Sequence, residues 1–527
     1  MSFNKFKFTT GSKKKLENSS LSQHSEDEIL KPLQSSLRDN LESFKKAFNN
    51  SPDIVIREWN FGENHSVQAA LIFVSGLVDN QFINQFIMAP LVPFSNIPDE
   101  SLLDIFKQHL LPIGGVNETN DFDSLLTGLL SGDTVFLCDS CDRGLLIDSK
   151  GWESRGIEEP TSQYVIRGPK DGFTENLTTN IAMVRRRIVN SNLWTEQYRI
   201  GKVTKTKVSI LYIQGIASKK IIDEVRERLK RIEIDGILES GYIEELIQDN
   251  NFTVFPTVFN SERPDVIAAG LLEGRVAIVV DGTPFVLMVP ALFTHFFQAA
   301  EDYYQRFDIS TLIRWLRYFA FIIALLGPSL YIAITTYHHD MLPPQILISL
   351  SAQREGIPFP AFIEALMMEL TFELLREAGI RLPRAVGQSI SIVGALVIGQ
   401  AAVEAGIVSA AMVIVVSITA IASFTMPSYS LSISIRILRF GMMGLAACFG
   451  LFGVVAGVIM VIQHLCHLKS FGVSYMSPIT PVNIAMQRDT FIRAPWRLMQ
   501  KNLSIAHLKE SIINKKVIDN LKKKKGE

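Results

Sequence analysis

The sequence predicts an α+β or α/β region of two subdomains followed by a helical membrane domain, and three observations carry that prediction. Of the 527 residues 47% are apolar and 20% charged, and a mean hydropathy of +0.20 requires that the polarity be unevenly spread: residues 1–285 hold most of the charge and 316–465 little of it. Between 50 and 285, short β-branched runs alternate with helix-period segments. Beyond them come apolar stretches long enough to cross a bilayer at about 1.5 Å per residue.

In chain order, residues 1–50 are a Ser, Lys, Asn and Glu-rich head with little apolar periodicity, expected to be disordered over at least its first half. The first subdomain, 51–158, opens on "QAALIFVSGLVD", an apolar run ending in a turn signal that reads as a buried strand. "IPDESLLDIFKQHLL" follows as a helix, with Pro98 near its first position and Asp99 and Glu100 in its first turn. "DTVFLCDSCDRGLLID" reads as a hairpin. The second subdomain, 159–285, runs through a loop "RGPKDGFTE", a helix "NIAMVRRRIV", a strand "VSILYIQG", a helix "KKIIDEVRERLKRI" and a strand "RVAIVVDGTPFVLMV". A connector, 286–316, follows, and the segment "FVLMVPALFTHFFQAAEDYY" (285–304) that leads into it, apolar but short, reads as interfacial.

The membrane domain, 317–470, offers four spans, at 317–337, 385–403, 405–424 and 440–463. Between the first two, "PFPAFIEALMMELTFELLREAG" places Glu364, Glu369, Glu373 and Glu377 along one side of a helix. That helix either lies in the interface or makes a fifth crossing with its acidic side turned from lipid. The basic tail, 471–527, carries eleven Lys or Arg against four Asp or Glu from Arg488 onward, which places it on the cytoplasmic side. No apolar region follows the charged N-terminus, so the soluble part is expected to stay in the cytoplasm. An even number of crossings follows. Four spans leave Arg376, Arg381 and Arg384 outside; a fifth brings them in and puts the tail out.

Several chemistries find no footing. A net charge of −1 argues against nucleic acid, which needs a basic surface, and four cysteines are too few for a disulfide framework. The signatures of nucleotide hydrolysis, dinucleotide binding, zinc proteolysis and serine hydrolysis are missing. Cys138 and Cys141 form a C-x-x-C without a second ligand pair and read as a hairpin turn. His464, Cys466 and His467 read as a helix end at headgroup level. Asp281 ends a strand, with Thr283 where a phosphatase pattern would have a second Asp, and reads as a turn. The loop around Arg167, Gly168, Lys170 and Gly172 would offer backbone N–H groups to an anion or contact a partner, or serve as a plain Gly-Pro turn. No catalytic residue, metal site or cofactor is expected.

Within the apolar tract "VIGQAAVEAGIV", Gln400 and Glu404 demand a reason, since unpaired polar groups in hydrocarbon cost several kcal/mol each. Ile392, Leu396, Gln400 and Glu404 recur every four residues and form one slanted helical stripe about 18 Å long. Gly394, Ala395, Gly399, Ala401 and Ala402 leave the flanks small enough for close helix approach. Such a stripe suits a pore lining, with Leu396 as constriction and Glu404 as a cation-attracting ring. The alternative places Glu404 at the headgroups in a tight helical hairpin.

These same residues carry a resemblance. "LLREAGIRLPRAVGQSISIVGALVIGQAAVEAGIVSAAMVIVVSITAIASFTMPSYSLSISIRILRF", with "VIRGPKDGFTE", "NSERPDVIAAGLLEGRVAIVVDGTPFVLMVP" and "YQRFDISTLIRWLRYFAFIIALLGPSLYI", resembles the A subunit of the GerA family of spore germinant receptors over residues 60–480. The head, the "CDSC" pair and the basic tail are not matched by it. The resemblance implies a nutrient-receptor subunit in the spore inner membrane, working with a permease-like B subunit and a lipoprotein C subunit. It also implies a homo-oligomer, with a pentamer as the suggested state, that conducts cations and triggers germination. A secondary transporter, which would usually show a repeated half, and a membrane-anchored enzyme with a cytoplasmic catalytic domain are the alternatives.

Overall fold

The computed structural model describes residues 32–61, 67–89, 115–151, 159–160, 163–381, 398–482 and 486–499. The chain divides into two units, the first made of residues 1–47 and 54–151 and the second of 48–53 and 152–527. The disorder expected of the first residues and the helix expected at 97–111 fall outside the described residues.

In the first unit, α1 (Leu37–Ala47), β1 (Ile54–Phe61), β2 (Val67–Val74), β3 (Val116–Thr119), α2 (Phe122–Leu130), β4 (Asp133–Cys138) and β5 (Gly144–Asp148) follow one another. The strands form a sheet in the order β1-β2-β4-β5-β3, and every neighbouring pair is antiparallel. Helix α2 starts where the Asp121 carboxylate accepts from the backbone N–H groups of Asp123 and Ser124, satisfying donors that the first turn leaves free. It ends before Gly132, whose φ of +97° favours glycine. Leu71, Phe73, Phe136, Leu145 and Ile147 fill one core cluster.

The second unit repeats this plan. It begins with α3 (Leu177–Arg187), β6 (Leu193–Ile200) and β7 (Thr206–Ile213). Then come α4 (Lys219–Lys230), α5 (Ser240–Ile247), β8 (Phe259–Ser261), α6 (Pro264–Leu272), β9 (Val276–Val280) and β10 (Val286–Val289). Their order, β6-β7-β9-β10-β8, matches the first sheet position for position, again antiparallel throughout. With antiparallel pairing only, both regions are α+β. The run "RVAIVVDGTPFVLMV" is two strands, because Gly282 at φ +92° reverses the chain and Leu287 pairs back onto Ile278.

All five residues of β9 are buried, and their alternation sorts them. Val276, Ile278 and Val280 share a cluster with Ile222, Val225 and Ile243 of α4 and α5. Ala277 and Val279 belong to a cluster that includes Val184 and Leu271 of α3 and α6 and continues into the helical bundle. A sheet covered on both faces explains why its central strand reads as continuously apolar. Residues 286–297, expected at an interface, are instead buried in this unit. Phe293 packs on Phe297 and Phe321, Phe297 on Tyr318, and Phe296 on Tyr475, because three aromatic rings in one turn bury more area against a sheet end than on a surface.

The bundle contains α7 (Phe307–Tyr337), α8 (Pro344–Arg354), α9 (Ala361–Arg381), α10 (Gly399–Glu404), α11 (Ala410–Phe424) and α12 (Tyr429–His467). Among the described residues two helices, α7 and α12, are long and apolar enough to cross a membrane by length and composition. The four expected spans are therefore not all reproduced: 385–397 falls outside the described residues, and α11 has 15 residues. Nor is α12 one continuous rod. Gly450 adopts φ +59°, ψ −140°, and a Cβ on Gly457 would lie 2.6 Å from Met442 Sδ. In a straight helix those two residues stand about 22 Å apart. The chain folds back at Gly450, so the expected span 440–463 is the tip of a helical hairpin with halves 429–449 and 451–467.

Side-chain contacts fix the directions. Ser434 and His464, one in each half of α12, bond to Val254 and Thr253 of the second unit's sheet region. At the other end Tyr337 Oη donates to the Ala447 carbonyl at 2.6 Å. Helix α9 runs antiparallel to α7: Glu364 and Tyr331 both reach Ser409, whereas Glu369 lies level with Ala324 through Arg439. After α12 the chain returns to the sheet, where Ser470 Oγ donates to the Thr257 carbonyl and Asp489 pairs with Arg314. Ser470 and Asp489 therefore lie on the sheet side of the bundle.

Candidate functional site

The bundle interior should be apolar, yet charged residues run through it. Helix α7 contains Pro328, which has no N–H and so leaves the carbonyl four residues back without its helical donor. That carbonyl belongs to Ala324. Arg439 of α12 supplies the missing donor, its Nε 2.7 Å from the Ala324 oxygen, while its Nη1 donates to Glu369 of α9 at 2.6 Å. Arg439 and Glu369 are each 1% exposed. One guanidinium thus ties three helices at the place where proline opens α7, and adjoining Gly327 lets Thr419 of α11 approach closely.

Two further rungs lie on either side along α9. Toward the sheet, Glu373 accepts from Arg436 at 2.8 Å, and Arg376 donates to Ser423 Oγ at 2.9 Å while its guanidinium lies over the Phe424 ring. Toward the far end, Glu364 is fully buried and accepts from both the N–H and the Oγ of Ser409, at 3.1 and 3.0 Å. Ser409 Oγ in turn accepts from Met412 N and caps α11. The Arg354 Nε stands 3.5 Å from the other Glu364 oxygen. Of the two placements open to this helix, Glu364, Glu369 and Glu373 depart from the interfacial one and are turned into the bundle. Carboxylates on an apolar helix find a lower free energy against arginines than against lipid. Glu377, one turn on, is exposed and pairs with Arg381 at 2.6 Å.

The pore-stripe residues divide. Ile392 and Leu396 lie outside the described residues. Gln400 and Glu404 lie on α10, exposed, with Gln400 Nε2 donating to Glu404 Oε1 at 2.8 Å, while Gly399 between them and the chain's interior is buried against Val413. After Glu404 the chain turns through Gly406 at φ +66° into α11, a tight helical hairpin whose tip Glu364 holds through Ser409. Glu404 thus stands at the turn of a helical hairpin, and the stripe beyond Gln400 lies outside the described residues.

A second charged cluster joins sheet to bundle. Asp302 accepts from Arg317 at 2.8 and 2.9 Å and from Arg314 at 3.2 Å, and Arg314 also donates to Asp489 at 3.0 Å. Asp302 and Arg314 are fully buried. Nearby, His295 Nδ1 accepts from Leu292 N at 3.1 Å and its Nε2 faces Arg275. Burial first, then the Arg275 charge, lowers the His295 imidazole well below its ordinary value, so it is neutral. Burial also raises the Glu273 carboxyl, against the pull of Arg275.

The Gly-Pro loop is a structural clasp. Gly168 at φ +145° lies against the Tyr304 ring, where a Cβ would come within 2.8 Å. The Pro169 carbonyl accepts from buried Arg263 at 2.9 Å, and Asp171 takes two bonds from Arg187. Gly172 is buried, Lys170 pairs with Glu159 at 3.0 Å, and Arg167 is exposed. Asp281 accepts from Leu177 N at the start of α3. Cys138 and Cys141 are bonded to each other across the β4–β5 turn. Among the described residues no three His, Cys, Asp or Glu side chains converge as a metal site.

Sequence reading missed Arg314, Arg317, Arg436, Arg439 and Ser409. The available signal was "SISIRILRF", two arginines three apart entering an apolar stretch, with "LLGPSLY" announcing an open carbonyl elsewhere.

A two-sheet α+β region is fused to an apolar bundle braced by inward ion pairs, two of whose helices are long and apolar enough to cross a membrane. The family described as Bacillus/Clostridium GerA spore germination protein matches residues 42–505, and the chain belongs to that family. It is 51% identical to spore germination protein KA of Bacillus subtilis (strain 168), over 88% of this chain and 85% of that one. It is 38% identical to spore germination protein GerLA of Bacillus cereus, over 92% and 98% respectively. A crystal structure of the N-terminal domain of the A subunit of the Bacillus megaterium spore germinant receptor GerK3 covers 50% of this chain and 98% of its own, at 42% identity and a TM-score of 0.41.

Proposed function

We propose that this chain is the A subunit of a germinant receptor in the spore inner membrane, with its sheets on the cytoplasmic side, and that copies of it assemble around an axis into a nutrient-gated cation channel. A permease-like B subunit binds the nutrient and a lipoprotein C subunit completes the receptor. Nutrient binding on the partner favours the open state through tighter contact with it, since a ligand shifts an equilibrium by its differential affinity. Ion flow then starts germination, and no catalytic step is required.

One observation carries the channel reading. The polar groups along α9 turn inward to arginines or Ser409 as far as Glu373, whereas Gln400 and Glu404 stay exposed on the flank of a helix whose opposite side is packed. Exposed to lipid they would be costly; facing a shared aqueous path they supply a polar ring. The inward ladder also supports α7, α9, α11 and α12 as a rigid wall that holds the α10–α11 hairpin toward that path.

The test is cation flux through the reconstituted receptor. Glu404→Gln lowers cation selectivity, Leu396→Ala leaks without nutrient, and Leu396→Trp blocks. Unchanged flux and selectivity in all three, with the assembly intact, would exclude this hairpin from the path.

A further inference from the structure

Both halves of α12 meet the second sheet region at one short loop, residues 249–255. Thr253 Oγ1 bonds to His464 Nε2 at 2.9 Å, Ser434 Oγ donates to the Val254 carbonyl, and Phe255 packs beside the His464 ring. The loop is held from beneath as well, since Asp249 accepts from Phe471 N at 2.6 Å and from Arg228 at 2.7 Å. Between these anchors Asn250 Oδ1 accepts from Phe252 N at 2.9 Å, and Phe252 projects outward with 99% of its surface exposed.

The level of this loop along the bundle decides its surroundings. About one turn farther from the sheet, Ile437 and Ile462 begin the exposed apolar surface of the two α12 halves. Toward the sheet, His467 and Lys469 are exposed and basic. Phe252 therefore sits between the exposed apolar surface that begins at Ile437 and Ile462 and the exposed His467 and Lys469. Aromatic rings beside basic groups at a belt's edge match the boundary between acyl chains and anionic headgroups. Moving the exposed Phe252 ring from water into an acyl layer would be favourable in proportion to its apolar area.

We propose that the 249–255 loop is a lipid-inserting wedge of the cytoplasmic sheet region, with Phe252 entering the acyl edge of the inner leaflet while Lys469 meets headgroup phosphate. This rests on the reading of the bundle as membrane-spanning. The wedge fixes the depth of the second sheet against the bilayer independently of the sheet's covalent link to α7.

The test places a nitroxide label at Phe252→Cys in the full chain with its four native cysteines changed to Ser, reconstituted in phosphatidylethanolamine and phosphatidylglycerol vesicles. Ile459→Cys, exposed on α12, reports the lipid depth of the bundle, and Val203→Cys, exposed on the β6–β7 turn at the far end of the sheet, reports water. Collisions with oxygen are expected to dominate over collisions with a water-soluble nickel complex at 252 and 459, and the reverse at 203. Nickel dominance at 252 with oxygen dominance at 459 overturns the wedge while leaving the bundle in the membrane. Protection from both reagents at 252 assigns Phe252 to a protein contact and overturns it equally. Nickel dominance at 459 removes the membrane reading itself and the wedge with it.

Discussion

In the first sheet the order β1-β2-β4-β5-β3 encloses a core that ends within its own unit, whereas in the second the same order, β6-β7-β9-β10-β8, encloses a core that runs on through Phe293, Phe297 and Ala324 to Met443 of α12. The plans agree even in their helices: α2 precedes β4 as α6 precedes β9. What differs is the strand end. After β5 the first unit closes, while β10 leads into three aromatic residues that face α7. One fold thus serves as a self-contained module in one place and as the footing of a membrane bundle in another, and the difference lies in the few residues that follow the last strand.

The strongest way to break this comparison is to remove the brace on which the bundle rests. Arg439→Leu leaves Glu369 charged and buried and the Ala324 carbonyl without a donor. The expected loss is about 3–5 kcal/mol in the bundle, read as a lowered unfolding midpoint in detergent, with the first sheet's unfolding unchanged. Adding Glu369→Leu should recover most of it, because the uncompensated charge goes too. Equal stability of the single variant and the parent would show that the brace contributes nothing.

Matched core truncations sharpen the contrast. Leu71→Ala in β2 and Leu211→Ala in β7 each remove a fully buried side chain from corresponding strands, at about 2–5 kcal/mol apiece. Hydrogen exchange should quicken in α7 and α12 for Leu211→Ala and stay confined to the first unit for Leu71→Ala. Exchange patterns that do not differ in the bundle would mean that the second core is not continuous with it.

Acid should distinguish the two regions as well. His295 is held below its ordinary imidazole value in the folded chain, so below about pH 6.5, where an unfolded imidazole takes up a proton, the unfolded state binds more protons. Stability of the second unit then falls as pH drops, by at most about 1.4 kcal/mol per pH unit from this group. His295→Gln should flatten that slope in a urea titration repeated between pH 7.5 and 5.5; a slope left intact assigns the acid sensitivity elsewhere. The smallest effect concerns corresponding helix starts. Asp121→Ala should cost about 1 kcal/mol by loss of the α2 cap, measured by chemical unfolding of the first unit. At α6 the cap residue Arg263 makes no capping bond and Pro264 opens the helix instead.

Much of the soluble region was legible in the residues. Alternation and turn glycines located β2, β4, β5 and β7, and helix-period apolar residues located α3 and α4. The duplicated sheet order was not legible, because strand order depends on pairings between distant segments and the two halves share topology without an evident sequence repeat. In the bundle, hydropathy found α7 but merged the hairpin of α12, since Gly450 among small and apolar neighbours looks like any interior glycine until its φ is known. Four glutamates on one helix face were visible. Whether Glu369 and Glu373 faced water, lipid or cations depended on arginines 70 and 63 residues away.

By itself the sequence determined that a charged α+β region precedes an apolar helical one, that α9 carries an acidic side, and that Gln400 and Glu404 share a helix face, because hydrophobic period and composition are local properties. Only the tertiary structure decided that Arg439 closes the gap opened by Pro328, that α12 doubles back at Gly450, and that Asp302 and Asp489 fasten the bundle to the second sheet. Each of those needs a donor and an acceptor brought together from far along the chain, and burial makes leaving either one unpaired more costly than any local preference.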